Sequence, residues 1–137
     1  MDFKECIKKM LAKDVSRDAS LIKSLLMASK NRMESAIRLE MSPITASSKV
    51  SLAYDSLREA SEALSIGKGY KIYNHECYTA FLKEIMGESD LGDSFDSARK
   101  IRNAINYYGR ELSEKEASEM VRRIAGIREK VLQLMEK

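Results

Sequence analysis

A single proline, Pro43, stands in 137 residues, with only six glycines beside it. These two residue types interrupt regular backbone most often, so a chain this poor in them is free to run in long helices. The apolar residues agree. They recur at spacings of three and four through most of the chain, the period of one helix face. No segment alternates polar and apolar residues between turn signals, as a half-buried strand does. The expected fold is all-α: an up-and-down antiparallel helical bundle, with a four-helix core and one or two extra helices. At this length the chain is one domain, residues 1–137, large enough to bury its own core.

The first helix is expected over residues 2–13, with Phe3, Ile7, Met10 and Leu11 on its inner side. The second spans 20–40, with Ile22, Leu25, Leu26, Met33, Ala36 and Ile37 inward, and ends at Pro43 because a residue before proline avoids helical backbone. The third spans 47–66. Val50, Ala53, Tyr54, Leu57, Ala60 and Leu64 face the core, Asp55, Arg58, Glu59 and Glu62 face out, and Gly67 and Gly69 end it. The fourth, 74–86, is capped by Asn74 and buries Tyr78, Phe81, Leu82 and Ile85. An acidic loop over 87–92 precedes the stretch 95–109, the expected organising helix, which Asp93 or Ser94 can cap. Its apolar stripe is Phe95, Ala98, Ile101, Ile105 and Tyr108, and Gly109 suits a left-handed stop. Ser113-x-x-Glu116 is a capping box, so the last helix starts there and runs to the end of the chain.

The chain is 44% hydrophobic and 33% charged, which marks it as globular rather than disordered. Net charge is +3, spread unevenly: residues 1–50 carry ten Lys/Arg against six Asp/Glu, and 51–137 carry fourteen against fifteen. Any basic patch is mild and falls in the first third of the chain, and strong nucleic-acid binders carry more. No run reaches the roughly 18 apolar residues of a membrane span, and the mixed-charge start is unlike a signal peptide. Cys6 and Cys77 are isolated and read as small apolar thiols of a reducing compartment, without a disulfide. The expected location is the cytoplasm, with no membrane association.

Little else carries chemistry. His75, the sole histidine, follows Asn74 at a helix start and reads as a capping or packing residue rather than a base. With no second histidine and no zinc spacing, no metal site is expected. Gly67-x-Gly69 lacks the lysine and hydroxyl residue of a phosphate-binding loop, and no cofactor motif occurs. Tyr70, Tyr73 and Tyr78 read as turn and core residues before they read as a stacking platform. The exception is Arg102, which sits beside the apolar stripe with Asn106 one turn further on. An arginine there is costly unless its donors find acceptors. Those acceptors are either a buried carboxylate of the third helix or a ligand.

The segment Arg102-Asn103-Ala104-Ile105-Asn106-Tyr107-Tyr108-Gly109 resembles the Arg-Asn-x-x-x-His segment of HEPN domains, small helical bundles. Many members are metal-independent endoribonucleases or toxins, and others have no known catalysis. Their motif is an arginine, a polar residue, and a histidine four to six residues beyond the arginine. Arg102 and Asn103 match; the histidine window holds Tyr107, Tyr108 and Gly109. The alanine-rich segment 53–64, a glycine turn and Asn74-His75 also resemble the middle of HEPN domains. The resemblance covers about residues 50–135, and 1–49 would supply extra helices.

That resemblance implies a homodimer in which two such arginines meet across a groove and grip an RNA backbone. Arg102, Asn103, Asn106, Tyr107 and Tyr108 are the candidate RNA- or nucleotide-binding residues. A planar, permanently charged guanidinium suits phosphate, whereas a tyrosine is a poor base at neutral pH. The first expectation is therefore a non-catalytic RNA- or nucleotide-binding protein, with no catalytic residue assigned. The second is the partner of a nucleotidyltransferase in a toxin–antitoxin-like pair. The tyrosine that such a partner modifies lies two residues after the family's histidine, where this chain has Gly109. The third is an endoribonuclease with a degenerate motif, which requires the fold to bring His75 near Arg102.

Overall fold

The computed structural model describes residues 1–136. The element at its centre is α3 (Ala46–Gly67), not the stretch 95–109. Every residue from 59 to 66 is buried, including Glu59, Ser61, Glu62 and Ser65. An amphipathic helix is expected to keep one face wet. This one does not, because α2 (Ala19–Arg38), α5 (Ser89–Tyr108) and α6 (Glu114–Leu134) all pack on it. Ala53, Ala60 and Ala63 are fully buried and leave room for that close approach.

The two carboxylates expected on the surface of α3 are therefore inside and paired. Arg32 Nε donates to Glu59 Oε1 at 2.9 Å, and Lys71 Nζ to Glu62 Oε1 at 2.5 Å, with Arg58 3.7 Å from the other Glu62 oxygen. Pairing is what makes such burial tolerable. Ser29 reaches across from α2 to the Ser56 carbonyl at 2.7 Å, and Arg128 of α6 donates to Ser29 Oγ at 2.8 Å.

Lys49 is also buried, because it closes α2. Its ammonium donates to the Ala36 carbonyl at 2.5 Å and to the Leu39 carbonyl, so two of the orphan acceptors at that helix end are served by the next helix. The expected stop at Pro43 is thus displaced: α2 ends at Arg38, and Pro43 lies in the turn leading into α3. Ile37, expected inward, is exposed beside this end.

The helical fraction is 74%, and the remainder holds one correction to the all-α expectation. β1 (Ala12–Asp14) and β2 (Tyr70–Ile72) pair antiparallel, Ala12 opposite Ile72 and Asp14 opposite Tyr70. Strands of three residues are too short to show a period of two. The first helix, α1 (Phe3–Lys8), is correspondingly shorter than expected. Met10 ends it in a left-handed conformation with φ 60° and points outward instead of into the core.

A second correction concerns direction. Ser29 meets Ser56 and Lys49 meets Ala36, so α2 and α3 are antiparallel. β2 then carries the chain back alongside α3, and α4 (His75–Ala80) starts near Tyr54 rather than at the far end. Hence α4 runs in the same direction as α3, and so does α6, whose start is tied to α3 by Leu112 N donating to Ser47 Oγ at 3.2 Å. The simple up-and-down order holds for α4, α5 and α6 and breaks between α3 and α4.

Cys6 and Cys77 form a disulfide between α1 and α4, with Cα atoms 6.1 Å apart. The expectation of two free thiols fails. α1 and α4 are far apart in sequence; the β1–β2 pairing and the contacts of Phe3 with Glu84 and Phe81 bring them together. Past Ala80 the fourth helix widens into a π-helical turn, Phe81–Ile85, which leaves Ile85 exposed instead of buried. α5 absorbs most of the expected acidic loop into its first turns, burying Leu91 and Gly92, and stops at Gly109 with φ 66°. Its stripe is buried only at Phe95 and Ala98; Tyr108, expected inward, is 84% exposed. α6 starts on the predicted capping box and buries Met120, Ile124, Ile127, Val131 and Leu134, with Val121 partly exposed. It ends at Leu134, with Met135 as C-cap and Glu136 in a turn, short of the expected run to the end of the chain, whose last residue, Lys137, lies outside the described residues.

Candidate functional site

α4 and α5 lie antiparallel, in register at Thr79 with Asp96 and at Lys83 with Asp93. Continued one turn further, that register sets His75, the first residue of α4, beside the turn of α5 that carries Arg99 and Arg102. The two residues line one cleft of about 340 Å3, with Arg99, Asn103 and Tyr107 from α5 and Tyr73, Asn74 and Glu76 from the β2–α4 segment. Asn74 shapes its rim by capping α4, accepting a hydrogen bond from Glu76 N at 2.8 Å.

Arg102 is not held by a carboxylate. Among the described residues it forms no ion pair, and its Nε is buried with no acceptor at all. Glu59 and Glu62, the carboxylates of α3 that were candidates for it, are engaged by Arg32, Lys71 and Arg58. Its guanidinium instead rests against aromatic rings, with Cζ 5.3 Å from the Tyr54 centroid and 6.0 Å from that of Tyr107. Neighbouring Arg99 differs: it donates to Asp96 Oδ1 through Nε at 3.0 Å and Nη2 at 2.8 Å, and Lys100 Nζ lies 3.2 Å from the other oxygen. That clamp holds the Asp96 carboxyl below its ordinary value against the opposing pull of burial. Arg102 is thus the guanidinium at this cleft without a carboxylate of its own.

Behind it lies a buried hydrogen bond. Tyr54, fully buried on α3, places its hydroxyl 2.9 Å from His75 Nδ1. Burial pushes the imidazole pKa down to about 4, helped by the positive charges of Arg102 and Arg58. The same burial raises the Tyr54 phenol above its ordinary value, only partly offset by Arg102. At neutral pH the histidine is neutral and the tyrosine protonated, and both sit within reach of a fixed positive charge.

Of the five residues expected to bind, Arg102, Asn103 and Tyr107 share this cleft. Asn106 turns toward α3, its Oδ1 3.4 Å from Ser51 Oγ, and Tyr108 projects away from the cleft lining into solvent. Tyr54 and Arg99 were not expected in the site, and His75 was expected near Arg102 only under the endoribonuclease reading. Asn74-His75 signals a helix start in the sequence, but nothing there says that the start lies against α5. Among the described residues, no group of three or more His, Cys, Asp or Glu side chains is arranged to hold a metal ion. No helix of these residues is long and apolar enough to cross a membrane.

No protein-family model matches the chain, and no curated protein sequence matches it either.

Proposed function

We propose that the cleft between α4 and α5 binds phosphate groups of RNA or of a nucleotide, with Arg102 as the principal cation. The observation that carries this reading is that Arg102 lines the cleft with no ion pair among the described residues, its Nε buried without an acceptor behind it. A buried donor left unpaired is destabilising by about 1–3 kcal/mol. The Nη donors of the same guanidinium are neither buried nor paired among the described residues, and this planar fork at the cleft is suited to grip a phosphate. Asn103 and Tyr107 add neutral donors and a ring face for a base.

In this reading the chain is HEPN-like, a homodimer whose two clefts share one groove. The exposed Tyr107 and Tyr108 lie beside that groove, where a second copy would cover them. The mild net charge and the Asp96 clamp on Arg99 argue for few phosphate contacts. RNA affinity should therefore fall only modestly with salt, by a log–log slope of about one to two for one or two contacts. The test is a titration of a short RNA at two salt concentrations, alongside light scattering. Binding that Arg102→Ala abolishes in a dimeric sample supports the proposal; a monomer indifferent to RNA removes it, and leaves the nucleotidyltransferase partner as the occupant to seek.

A second reading, a metal-independent endoribonuclease, draws on the condition that the sequence left open: His75 does share a cleft with Arg102. Cleavage of a mixed RNA pool, lost in both Arg102→Ala and His75→Ala, would establish it. A cytoplasmic location now requires the Cys6–Cys77 bond to persist in a reducing pool. A thiol count on protein taken directly from cells decides that point.

A further inference from the structure

We infer that Tyr54 locks His75 in the tautomer that carries its proton on Nε2, making the ring a fixed hydrogen-bond donor beside Arg102. The cleft then receives phosphate oxygens and does not transfer protons. This rests on reading the cleft as a phosphate site, and it chooses binding over cleavage there.

The derivation is one of hydrogen-bond accounting. The Tyr54 hydroxyl is fully buried, and among the described residues its one partner is His75 Nδ1. Were Nδ1 to carry the proton and donate it, the hydroxyl hydrogen would be left in the core with no acceptor, which is the costly arrangement. The hydroxyl therefore donates, Nδ1 accepts with its lone pair, and the proton of a neutral ring must sit on Nε2. Among the described residues Nε2 itself has no partner, yet it is not among the buried unpaired atoms, so it meets the open cleft.

The charges around the ring keep it neutral. From α3 it faces Tyr54, Asp55 and Arg58, from α5 Arg99 and Arg102, and from its own helix Tyr78. The nearby cations outweigh the single carboxylate of Asp55 and, with burial, set its pKa near 4. A neutral ring whose only lone pair is occupied is neither a general base at the cleft nor a general acid of useful strength. It is a donor, like the Arg102 guanidinium next to it. Two adjacent donors favour an anion rich in lone pairs, and a phosphate group fits. The phosphate can belong to a free nucleotide or to an RNA backbone.

Because the chain has one histidine, a long-range proton–nitrogen correlation spectrum of the full protein reads this ring alone. The expected wild-type spectrum is that of the Nε2–H tautomer, unchanged between pH 8 and about pH 5, given a midpoint near 4. In Tyr54→Phe the second tautomer should appear beside the first. An Nδ1–H ring, a wild-type midpoint near 6.5, or a Tyr54→Phe spectrum identical to wild type overturns the lock. Adding adenosine 5′-monophosphate or a hexameric RNA should shift the Nε2 proton in wild type, with affinity falling at least tenfold in Arg102→Ala. A response to both probes assigns the free phosphate monoester as sufficient, and a response to the hexamer alone assigns the backbone. If neither probe binds while the Nε2–H spectrum holds, the phosphate reading falls and the tautomer lock stands. RNA cleavage that depends on His75 sinks the assignment of a donor-only ring.

Discussion

The guanidinium carbon of Arg102 lies 5.3 Å from the ring centroid of Tyr54, and no carboxylate among the described residues pairs with it. An arginine beside a packed face is ordinarily kept there by an anion; here a buried aromatic ring takes that place. Contact with a ring face contributes about 0.5–2 kcal/mol, while the unpaired Nε opposes it.

Replacing the charge but keeping the bulk should therefore be mild. Arg102→Met is expected to change unfolding free energy by less than about 1 kcal/mol, because the lost ring contact and the relieved donor offset each other. Denaturant unfolding measures it. A loss of about 3 kcal/mol or more would instead report a broken buried ion pair, and with it a different environment for this residue.

His75 gives the fold an acid-sensitive point. Its folded pKa, near 4, is below the 6.5 of the unfolded chain, so between those values the unfolded state binds more protons. Its contribution is complete above about pH 6.5 and is lost as pH falls toward 4. The ring is partly open to the cleft, so the discounted loss is on the order of 1 kcal/mol. Wild type and His75→Gln compared across this window should diverge in slope, and parallel curves would exclude the effect.

Lys49 closes α2 from the neighbouring helix through the carbonyls of Ala36 and Leu39. Lys49→Met keeps the stem and removes the donor, leaving those acceptors unserved in a buried place. A loss of about 1–3 kcal/mol is expected. Hydrogen exchange should show the damage first at the α2 terminus.

Gly92 sits where α5 crosses the fourth helix. A Cβ there would run into the Lys83 side chain near its root and lie 3.1 Å from the Thr79 carbonyl oxygen. Gly92→Ala gains helix propensity of about 1 kcal/mol on an open surface. At this contact the clash should reverse the sign, giving a net loss in thermal unfolding, and the Lys83–Asp93 pair should open with it.

The Cys6–Cys77 bond closes a span of 71 residues and ties α1 to α4, two residues from His75. Cys6→Ser should lower stability by about 2–4 kcal/mol, since the unfolded chain regains the freedom of that loop. A mass shift on alkylation with and without reductant checks the bond itself; equal labelling in both conditions would deny it.

How much of this was legible beforehand follows from the range of each interaction. The capping box at Ser113, the left-handed stop at Gly109 and the Asn74 cap are local, and each appears where its residues stand. The inner face of α3 was equally plain from Val50 to Leu64. Its outer face was not: Glu59 and Glu62 look solvent-bound until Arg32 and Lys71 arrive from other elements. Likewise Tyr108 continues the α5 period but lies past the point where any helix covers it.

The sequence by itself determined that the chain is helical, where most helices begin and end, and that Arg102 stands beside an apolar stripe without an evident partner. These depend on contacts within a turn or two of backbone. Only the tertiary structure decided that α3 is enclosed, that Cys6 meets Cys77, and that His75 faces Arg102. The first comes from α2, α5 and α6 packing on α3 and the last from the α4–α5 pairing, while the short β1–β2 pairing draws the segment before α4 toward α1. A three-residue strand has no periodicity of its own to read; it exists because a distant segment supplies its hydrogen bonds.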